Sequence, residues 1–493
     1  MLACSILILS RMFVVQSFQS SIYRDAALDV AKTERSIKGH RGDILDRKGN
    51  KLAETIHKYT FWVNTQKEFD KNEILSLFSR ELDIPSEILS NALAAKRSYV
   101  PLAKGLLRSE CEHILSEIKN VQGLHVDVSV SRYYPYHNLT SQVVGYTDRD
   151  NAGQFGIERR FDPILSGKTG KQMYDRSANG RLRKSLENNE EFKGNGVDIQ
   201  LTLDVEIQTI LLDALKQGLK RSHAETAYGV IINPFTGDIL AMASVPDFNP
   251  NKYWEYDVST FSNRIISDSY EPGSTFKLIA MAAILESGQF EPEHRVYCEK
   301  GKYQIIPSKV IHDHEPHELL SIPEVFVHSS NIGLSKLIDK MGAEYIYDYA
   351  RRFGFGMKTG VPLSGETSGK LRNYSEWTRL SGPSIAMGQE ISVNTLQLAL
   401  AYAAAANGGY LPSARIVENI SGDGFEHRNF SPRPIRRVMS KSTSHQLLAM
   451  MEDVVLKGTA DKARIPGFRI GGKTGTAEKF IDGKYSKNDF ISS

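Results

Sequence analysis

The chain has 493 residues, of which 41% are hydrophobic and 24% are charged, and its formal net charge is +3 at pH 7. These proportions are typical of globular protein, and the length exceeds one ordinary core, so we expect two domains and a terminal segment. The small charge gives no support for nucleic-acid binding, which we exclude. Three cysteines, Cys4, Cys111 and Cys298, neither pair by spacing nor form a metal knuckle.

The amino-terminal segment from Met1 to Val15 is apolar except for Ser5, Ser10 and Arg11. It is shorter than the roughly 20 residues that a membrane-spanning helix needs. No basic segment precedes it, and no convincing cleavage site of small residues follows it. The pattern alone leaves two interpretations open, a partial membrane span and an ordinary buried helix.

Residues 36–194 alternate short strand-like runs with turns and predict an elongated α+β region. Three motifs lie within it: Arg-Gly-Asp-Ile-Leu-Asp-Arg-Lys-Gly at residues 41–49, Arg-Tyr-Tyr-Pro at 132–135 and Gly-Gln-Phe-Gly-Ile-Glu at 153–158. The polar stretch from Asn179 to Gly196 is the expected boundary. We therefore predict a first domain over residues 21–194 and a second over residues 195–493.

The second region begins with a clear change of periodicity. Val197 to Leu203 alternates like an edge strand, and Val205 to Leu219 has the spacing of an amphipathic helix. From Ala227 onward the pattern predicts a hairpin, a helix, a helical middle and a final strand.

Pro272 and Gly273 precede a run with helical spacing that continues to Gly288, so Ser274 is expected to open a helix. Lys277 lies one turn further on the same face. A serine hydroxyl needs a base to become a nucleophile, and a lysine serves only if burial or a second cation lowers its pKa. Lys473 is a candidate for that cation. The alternative is a serine cap followed by a solvated lysine.

A second segment, Ser-Ser-Asn, precedes another run of helical spacing. We predict that the Ser329 hydroxyl passes a proton to a leaving amine, while the Asn331 amide holds Lys277 and the substrate backbone. The Ser-x-Asn spacing selects Ser329 over Ser330. The alternative is that these residues only cap the helix.

A third segment, residues 469–477, reads as a strand whose glycines admit close backbone approach. Such a strand can pair with an extended peptide. Lys473, Thr474 and Thr476 would then bind a terminal carboxylate beside Gly475. The backbone N–H of Thr476 would join that of Ser274 in an oxyanion hole.

One cluster, from His312 to His317, has the composition of a metal site. It contains a proline and lacks the ligand spacing of a helix, so we predict no metal site there. Its function stays open.

The three segments, in this order, are the signature of penicillin-binding proteins and class A β-lactamases. Together with the three motifs of the first domain, they make the chain resemble a class B penicillin-binding protein of the division-specific FtsI type. The resemblance covers nearly the whole chain. It includes the first hairpin from Ile231 to Met242, closed by Pro250 and Asn251. It also includes Asn263-Arg264 and the run from Glu271 to Gly273 before the nucleophile.

The resemblance implies an α+β multidomain fold. An elongated, non-catalytic pedestal of the dimerisation type precedes a penicillin-binding transpeptidase domain. That domain has an antiparallel sheet flanked by helices plus an all-helical subdomain, with the nucleophile between the two. Residues 1–20 are similar to the outer part of the family's single membrane anchor. We expect a chain truncated at both ends, with the carboxy-terminal strand and helix missing.

The resemblance also implies the activity, a peptidoglycan D,D-transpeptidase that cross-links stem peptides in septal cell-wall synthesis. Ser274 would attack the carbonyl between two D-alanines, release the last one and pass the acyl group to a neighbouring amine. Implied partners are D-Ala-D-Ala stem peptides, β-lactams, the membrane, and division-machinery proteins including a glycosyltransferase. No cofactor is implied. The implied location is the bacterial inner membrane, single-pass, with the catalytic domain in the periplasm.

The chain departs from the family pattern in two places. Glu390 stands where the family commonly has a glycine, and Asn394-Thr395 stand where it commonly has Thr-Pro. After Gly475 the sequence has room only for a turn near Asp482-Gly483 and the start of a return strand at Phe490.

Three alternatives remain. A β-lactamase shares the three segments but would need neither a pedestal nor an anchor. A non-catalytic division scaffold would not need Ser274, Lys277 and Lys473 intact. An elongation-type transpeptidase is the third alternative, and only resemblance distinguishes it from the division type. The short connection between Ser274 and Ser329 is more similar to that of the division type.

Overall fold

A computed structural model of the chain describes residues 2–17, 19, 32–94, 97–118, 121–176, 182–184, 194–291, 293–422, 424–481 and 484–493. Most of the predicted boundary between Asn179 and Gly196 lies outside these residues, as does the predicted turn at Asp482-Gly483. The division of the chain at residue 194 therefore stays a prediction.

The amino-terminal helix, α1, spans Leu2–Ser17 and contains 16 residues. Within the described ranges, no helix is both long and apolar enough to cross a membrane. The partial anchor over residues 1–20 stays a prediction.

The pedestal, as we call residues 21–194, combines a strongly paired long strand with short helices. Its described strands are β1 (Lys32–Lys38), β2 (Ile44–Leu45), β3 (Lys51–Asn64), β4 (Tyr99–Leu106), β5 (Leu124–Tyr133), β6 (Thr169–Arg176) and β7 (Leu182–Lys184). Its described helices are α2 (Lys71–Leu82), α3 (Ser86–Ala94), α4 (Arg108–Glu117), α5 (Ser141–Val144), α6 (Gly156–Arg160) and α7 (Asp162–Leu165).

A small hydrophobic core lies at the far end of β3, which pairs antiparallel with both β4 and β5. Helix α2 begins where the Asp70 carboxylate accepts a hydrogen bond of 3.0 Å from the backbone N–H of Glu73. Ile74 and Phe78, four residues apart, lie on the same face of the helix and are buried with Phe61 of β3. This core is separate from the larger core that contains most of the buried residues after residue 195.

Residues 195–493, which we call the catalytic region after the predicted second domain, contain most of the helices that the structure describes. Its described strands are β8 (Asp198–Leu201), β9 (Ala227–Ile232), β10 (Ile239–Val245), β11 (Arg295–Tyr297), β12 (Lys302–Ile306), β13 (Lys309–His312), β14 (Leu319–Ser321), β15 (Tyr410–Pro412), β16 (Val417–Ser421), β17 (Arg428–Asn429), β18 (Pro434–Arg437), β19 (Thr476–Ile481) and β20 (Lys484–Ser492). Its described α-helices are α8 (Val205–Ser222), α9 (Arg264–Ser267), α10 (Lys277–Glu286), α11 (Ile322–Val327), α12 (Asn331–Met341), α13 (Ala343–Arg352), α14 (Ser381–Ala386), α15 (Thr395–Ala406) and α16 (Lys441–Lys457).

A seven-stranded sheet crosses the predicted boundary, with the order β17-β16-β8-β2-β3-β4 and β5 also paired to β3. Strand β8 was predicted to be an edge strand, and this is wrong. It pairs antiparallel with β16 on one side and parallel with β2 on the other. Alternation of apolar residues reports which faces of a strand are buried, whereas edge position depends on hydrogen-bond partners further along the chain.

Helix α10 is the centre of the catalytic region, and every residue from Lys277 to Ile284 is buried. A helix that is apolar all round belongs inside a protein, and here neighbouring helices cover it. Ser274 lies in a 3₁₀ turn, Gly273–Phe276, that leads directly into α10. The nucleophile segment thus precedes the α-helix instead of opening it.

The three pedestal motifs meet at one buried carboxylate, that of Glu158, which is fully shielded from solvent. Arg41 Nε donates to Glu158 Oε2 at 2.7 Å, and Arg132 Nε donates to Glu158 Oε1 at 2.6 Å. Tyr134 lies beside them, with its hydroxyl oxygen 3.4 Å from Oε1. Each motif therefore supplies one part of a single ionic cluster, which the sequence shows only as separate motifs.

We expect Glu158→Ala to lower the free energy of unfolding by about 3–5 kcal/mol. The buried guanidinium of Arg132 loses the carboxylate with which it pairs, and that of Arg41 keeps only Asp162. Urea or thermal unfolding measures the change. The matched control is Glu318→Ala, which removes an ion pair with Lys300 whose side chains are 67% and 68% exposed. Its effect should stay within about 1 kcal/mol. Equal losses in the two variants would contradict the role of the buried cluster.

Candidate active site

The first two sequence segments meet at the side chain of Lys277. Its Nζ donates to the carbonyl oxygen of Ser329 at 2.6 Å and to Asn331 Oδ1 at 2.7 Å. The Ser329 hydroxyl oxygen lies 3.2 Å from the same nitrogen. The two segments, separated by more than fifty residues of chain, therefore form one hydrogen-bonded site.

Lys277 is 1% exposed, and burial holds the pKa of its ammonium well below the ordinary value for lysine. The charge of Lys473 lowers that pKa further, while the carboxylate of Asp313 raises it. A neutral amine keeps two N–H groups and one lone pair. The N–H groups suffice for the Ser329 carbonyl and Asn331, so the lone pair is left for a hydroxyl proton.

The turn that carries Ser274 is held from several sides, which leaves the serine itself half-buried. Gly273 has φ +55° and donates its N–H to the carbonyl of Gly388 at 3.1 Å. The hydroxyl of Tyr402 donates to the carbonyl of Thr275 at 2.9 Å. Because a left-handed conformation is strained for other residues, glycine fits the position before Ser274.

The third segment reaches the same place. A methyl group on Gly475 would lie 2.9 Å from the Thr275 side chain, and one on Gly273 would lie 3.1 Å from the carbonyl oxygen of Thr476. Regular strand structure starts only at Thr476, so the predicted strand over residues 469–477 is wrong for most of its length. The preceding residues pair with no strand, except that Gly475 exchanges two backbone hydrogen bonds with Ser493.

Lys473 is 9% exposed, and burial lowers the pKa of its ammonium to about 8. Its Nζ donates to the carbonyl of Thr474 at 2.9 Å. The Thr474 hydroxyl lies 2.8 Å from that of Thr459. The segment thus presents one cation and a hydroxyl beside the serine turn, a combination that suits a carboxylate.

Ser329 and Ser330 have different environments. Ser330 caps α12, since its Oγ accepts from the N–H of Gly333 at 2.9 Å, and it is buried. Ser329 has φ +57° and lies against Lys277. The helix-capping alternative therefore describes Ser330, and Ser329 stays the predicted proton donor.

Asp313 is a site residue that the sequence analysis missed. Its carboxylate accepts hydrogen bonds from Ser330 Oγ at 2.6 Å and from the backbone N–H of Ile332 at 3.0 Å. It thereby holds the start of α12, which carries Asn331. In the sequence, Asp313 belongs to the histidine-rich cluster from His312 to His317. No local pattern relates it to the helix that begins eighteen residues later at Asn331.

The departures from the family pattern at Glu390 and at Asn394 have structural explanations. Glu390 has φ +57°, a conformation in which glycine is common, and its carboxylate forms an ion pair with Arg372. Asn394 caps α15 by accepting from the N–H of Gln397 at 2.8 Å. Asparagine and threonine are both good caps, and proline favours the next position only by its backbone angle.

Comparison with known proteins decides the family. The model described as the penicillin binding protein transpeptidase domain matches residues 227–492, and that of the penicillin-binding protein dimerisation domain matches residues 36–201. The chain belongs to the penicillin-binding protein transpeptidases.

Similar proteins extend the match over most of the chain. Stage V sporulation protein D of Bacillus subtilis is 31% identical over 458 residues, which are 92% of this chain and 71% of that protein. Peptidoglycan D,D-transpeptidase FtsI of Escherichia coli is 30% identical, over 90% of this chain and 74% of its own. Penicillin-binding protein 3 of Mycobacterium tuberculosis, solved with ampicillin, has a TM-score of 0.70 and 26% identity, covering 93% of this chain and 85% of that one.

The predicted class B resemblance, the fold of pedestal plus transpeptidase domain, and the enzyme class are therefore confirmed. This penicillin-binding protein is a peptidoglycan D,D-transpeptidase of the class B type. The roles assigned to Ser274, Lys277, Ser329, Asn331 and Lys473 remain predictions, which the geometry above supports.

We expect acyl transfer to depend on pH through the two lysines. Acylation requires neutral Lys277, so its rate rises with pH through the lowered pKa of that group. Binding of a carboxylate requires charged Lys473, so the rate falls again above a pH of about 8. Acylation of the enzyme by an acyl-D-Ala-D-Ala peptide, followed over pH, measures this bell-shaped profile.

The matched variant is Lys473→Arg, which keeps a positive charge at this position at all accessible pH values. It should remove the fall above pH about 8 that we assign to Lys473. A profile whose basic limb is the same in both proteins would contradict this assignment.

Proposed function

We propose that this transpeptidase cross-links stem peptides at the division septum, from a periplasmic catalytic domain anchored in the inner membrane, and that β-lactams inhibit it. The observation that supports the catalytic part is the Lys277 site, in which a buried amine directly after the turn of Ser274 contacts Ser329 and Asn331. The septal part is supported by the FtsI-named relatives.

The first half-reaction forms an acyl-enzyme. Ser274 Oγ attacks the carbonyl carbon between the two D-alanines, and its proton passes to the lone pair of Lys277. The negative charge on the carbonyl oxygen is stabilised by the backbone N–H groups of Ser274 and Thr476. The C–N bond then breaks, and the Ser329 hydroxyl delivers a proton to the leaving D-alanine amine and is reprotonated from Lys277.

The second half-reaction reverses the proton path. An amine from a neighbouring stem peptide attacks the acyl-enzyme, and its proton is taken up by the Ser329 and Lys277 pair. The new C–N bond forms as Ser274 leaves with a proton. Lys473 and the threonine hydroxyls near it bind the terminal carboxylate of the donor peptide in the first half-reaction only, because that carboxylate departs with D-alanine.

Inhibition by β-lactams follows from the same site, since these drugs resemble the acyl-D-Ala-D-Ala end and carry a carboxylate or sulfonate for Lys473. Penicillin-binding protein 3 of Mycobacterium tuberculosis has been solved in complex with ampicillin and with aztreonam. We extend that binding to this chain because the serine, both lysines and the Ser-x-Asn segment are present in one site.

We expect Ser274→Ala to abolish covalent labelling by fluorescent penicillin, because the variant has no nucleophile at the site. Labelling is read on a denaturing gel, and the adduct mass is read by mass spectrometry. The matched control is Ser287→Ala at the other end of α10, which should label like the parent chain. Persistent labelling of Ser274→Ala would refute the assignment of Ser274 as the nucleophile.

The lifetime of the adduct separates this proposal from the alternatives. A long-lived adduct supports a transpeptidase, whereas rapid release of hydrolysed penicillin would support a β-lactamase. A folded chain that forms no adduct at all would support a non-catalytic scaffold.

We expect the septal role to appear in cells as localisation and complementation. A fluorescent fusion should concentrate at division sites and restore division to a strain depleted of its own division transpeptidase. The control is the Ser274→Ala fusion, which should localise equally but not restore division. Rescue of a strain depleted of its elongation transpeptidase, with no rescue of division, would overturn the septal role. Recovery of division-machinery proteins, including a glycosyltransferase, with the fusion would support the proposed partners.

A further inference from the structure

A second cluster of potential ligand side chains adjoins the Ser-x-Asn turn, since one member, His328, immediately precedes Ser329. Glu315, His317 and His328 place their ligating atoms within 4.8 Å of one another. The ring centroids of the two histidines are 4.6 Å apart, and His317 Nε2 lies 3.8 Å from Glu315 Oε2. We predicted no metal site in the segment from His312 to His317, because it contains a proline and lacks the ligand spacing of a helix. The structure adds His328, which comes from the end of α11.

One atom of this cluster is unsatisfied. His317 Nε2 is buried and has no hydrogen-bond partner among the residues that the structure describes. A buried polar atom without a partner costs roughly 1–3 kcal/mol, so such an atom calls for a ligand. The position of His317 is set by its backbone, since its carbonyl accepts from the N–H of Lys300 at 3.0 Å.

The donor set indicates the kind of ligand. Two imidazoles and one carboxylate suit zinc and similar divalent transition metals, which accept three protein ligands and leave further positions open. Calcium and magnesium prefer oxygen ligands throughout. The Glu315 side chain is 67% exposed, so it is free to swing onto an ion held between the rings.

Charged neighbours of the cluster are already paired. The carboxylate of Glu324 accepts from the backbone N–H and the hydroxyl of Ser321, at 2.8 Å each. Lys300 forms an ion pair of 3.0 Å with Glu318. Lys300 is therefore already neutralised by Glu318, and Glu324 is already hydrogen-bonded. Neither group competes with a divalent ion for the carboxylate of Glu315.

We propose that Glu315, His317 and His328 bind a divalent cation of the zinc class, and that this ion clamps the turn of Ser329. His328 immediately precedes Ser329, whose φ of +57° is unusual for a residue other than glycine. The segment that carries Glu315 and His317 also contacts the other end of this turn, where Asp313 accepts a hydrogen bond from Ser330 Oγ at 2.6 Å. The ion adds a second link between residues 313–317 and residues 328–330.

Zinc titration of the metal-stripped chain tests the site, with a chromophoric chelator as competitor and cobalt absorption as a report on tetrahedral geometry. We expect one ion per chain. His317→Gln and His328→Gln should each weaken zinc binding by more than about tenfold. Loss of a hydrogen-bond partner of a ligand already costs about that much, and loss of the ligand itself should cost more. The matched control is His314→Gln, an exposed histidine of the same segment, which should bind like the parent chain.

The clamp is tested by thermal unfolding of the same proteins. Zinc should raise the melting temperature of the parent chain and of His314→Gln, and should not raise that of His328→Gln. Without metal, His328→Gln and the parent chain should melt alike, which shows that the variant folds. Zinc binding that is equal in all variants, or no binding to the parent chain, would overturn the proposal. Neither measurement uses acyl transfer, so its outcome is independent of the proposed function.

Discussion

The active site depends on the burial of one amine. Lys277 sits at the start of a helix that is enclosed on every side, and this position removes water from its ammonium group. Desolvation favours the neutral form, and the nearby charge of Lys473 adds to the effect. A lysine on the surface with the same neighbours in sequence would stay protonated. The packing of α10 is therefore a condition for the chemistry that we propose for Ser274.

The same constraint explains the shape of the surroundings. A buried amine needs hydrogen-bond acceptors, and the Ser-x-Asn turn supplies a carbonyl, a hydroxyl and an amide. To bring the carbonyl and hydroxyl of Ser329 to the amine, the backbone adopts a left-handed angle. Asp313 stabilises the helix that follows. The proposed metal clamp acts through His328, which immediately precedes Ser329 in the chain. The contact with Lys277 and the clamp therefore restrict the same turn.

The pedestal and the catalytic region are joined by a shared interior. The Glu158 cluster draws three pedestal motifs together, and strand β2 of the first motif pairs with β8 of the catalytic region. Residues such as Ile44 and Ile157 belong to the same hydrophobic core as the catalytic helix. Buried ion pairs are costly to break, so this cluster fixes the pedestal motif that carries β2, the strand paired with β8.

The sequence by itself determined the family, the order of the elements and the candidate residues, because these rest on residue type and spacing. It predicted the start of α8 at Val205 and the choice of Ser329 over Ser330. Only the tertiary structure decided that β8 is interior, that Asp313 supports the site, and that His328 meets His317. These facts depend on contacts between segments distant in the chain, which no local periodicity records. The low pKa of Lys277 likewise arises from enclosure, a property that a residue acquires only when the chain is folded.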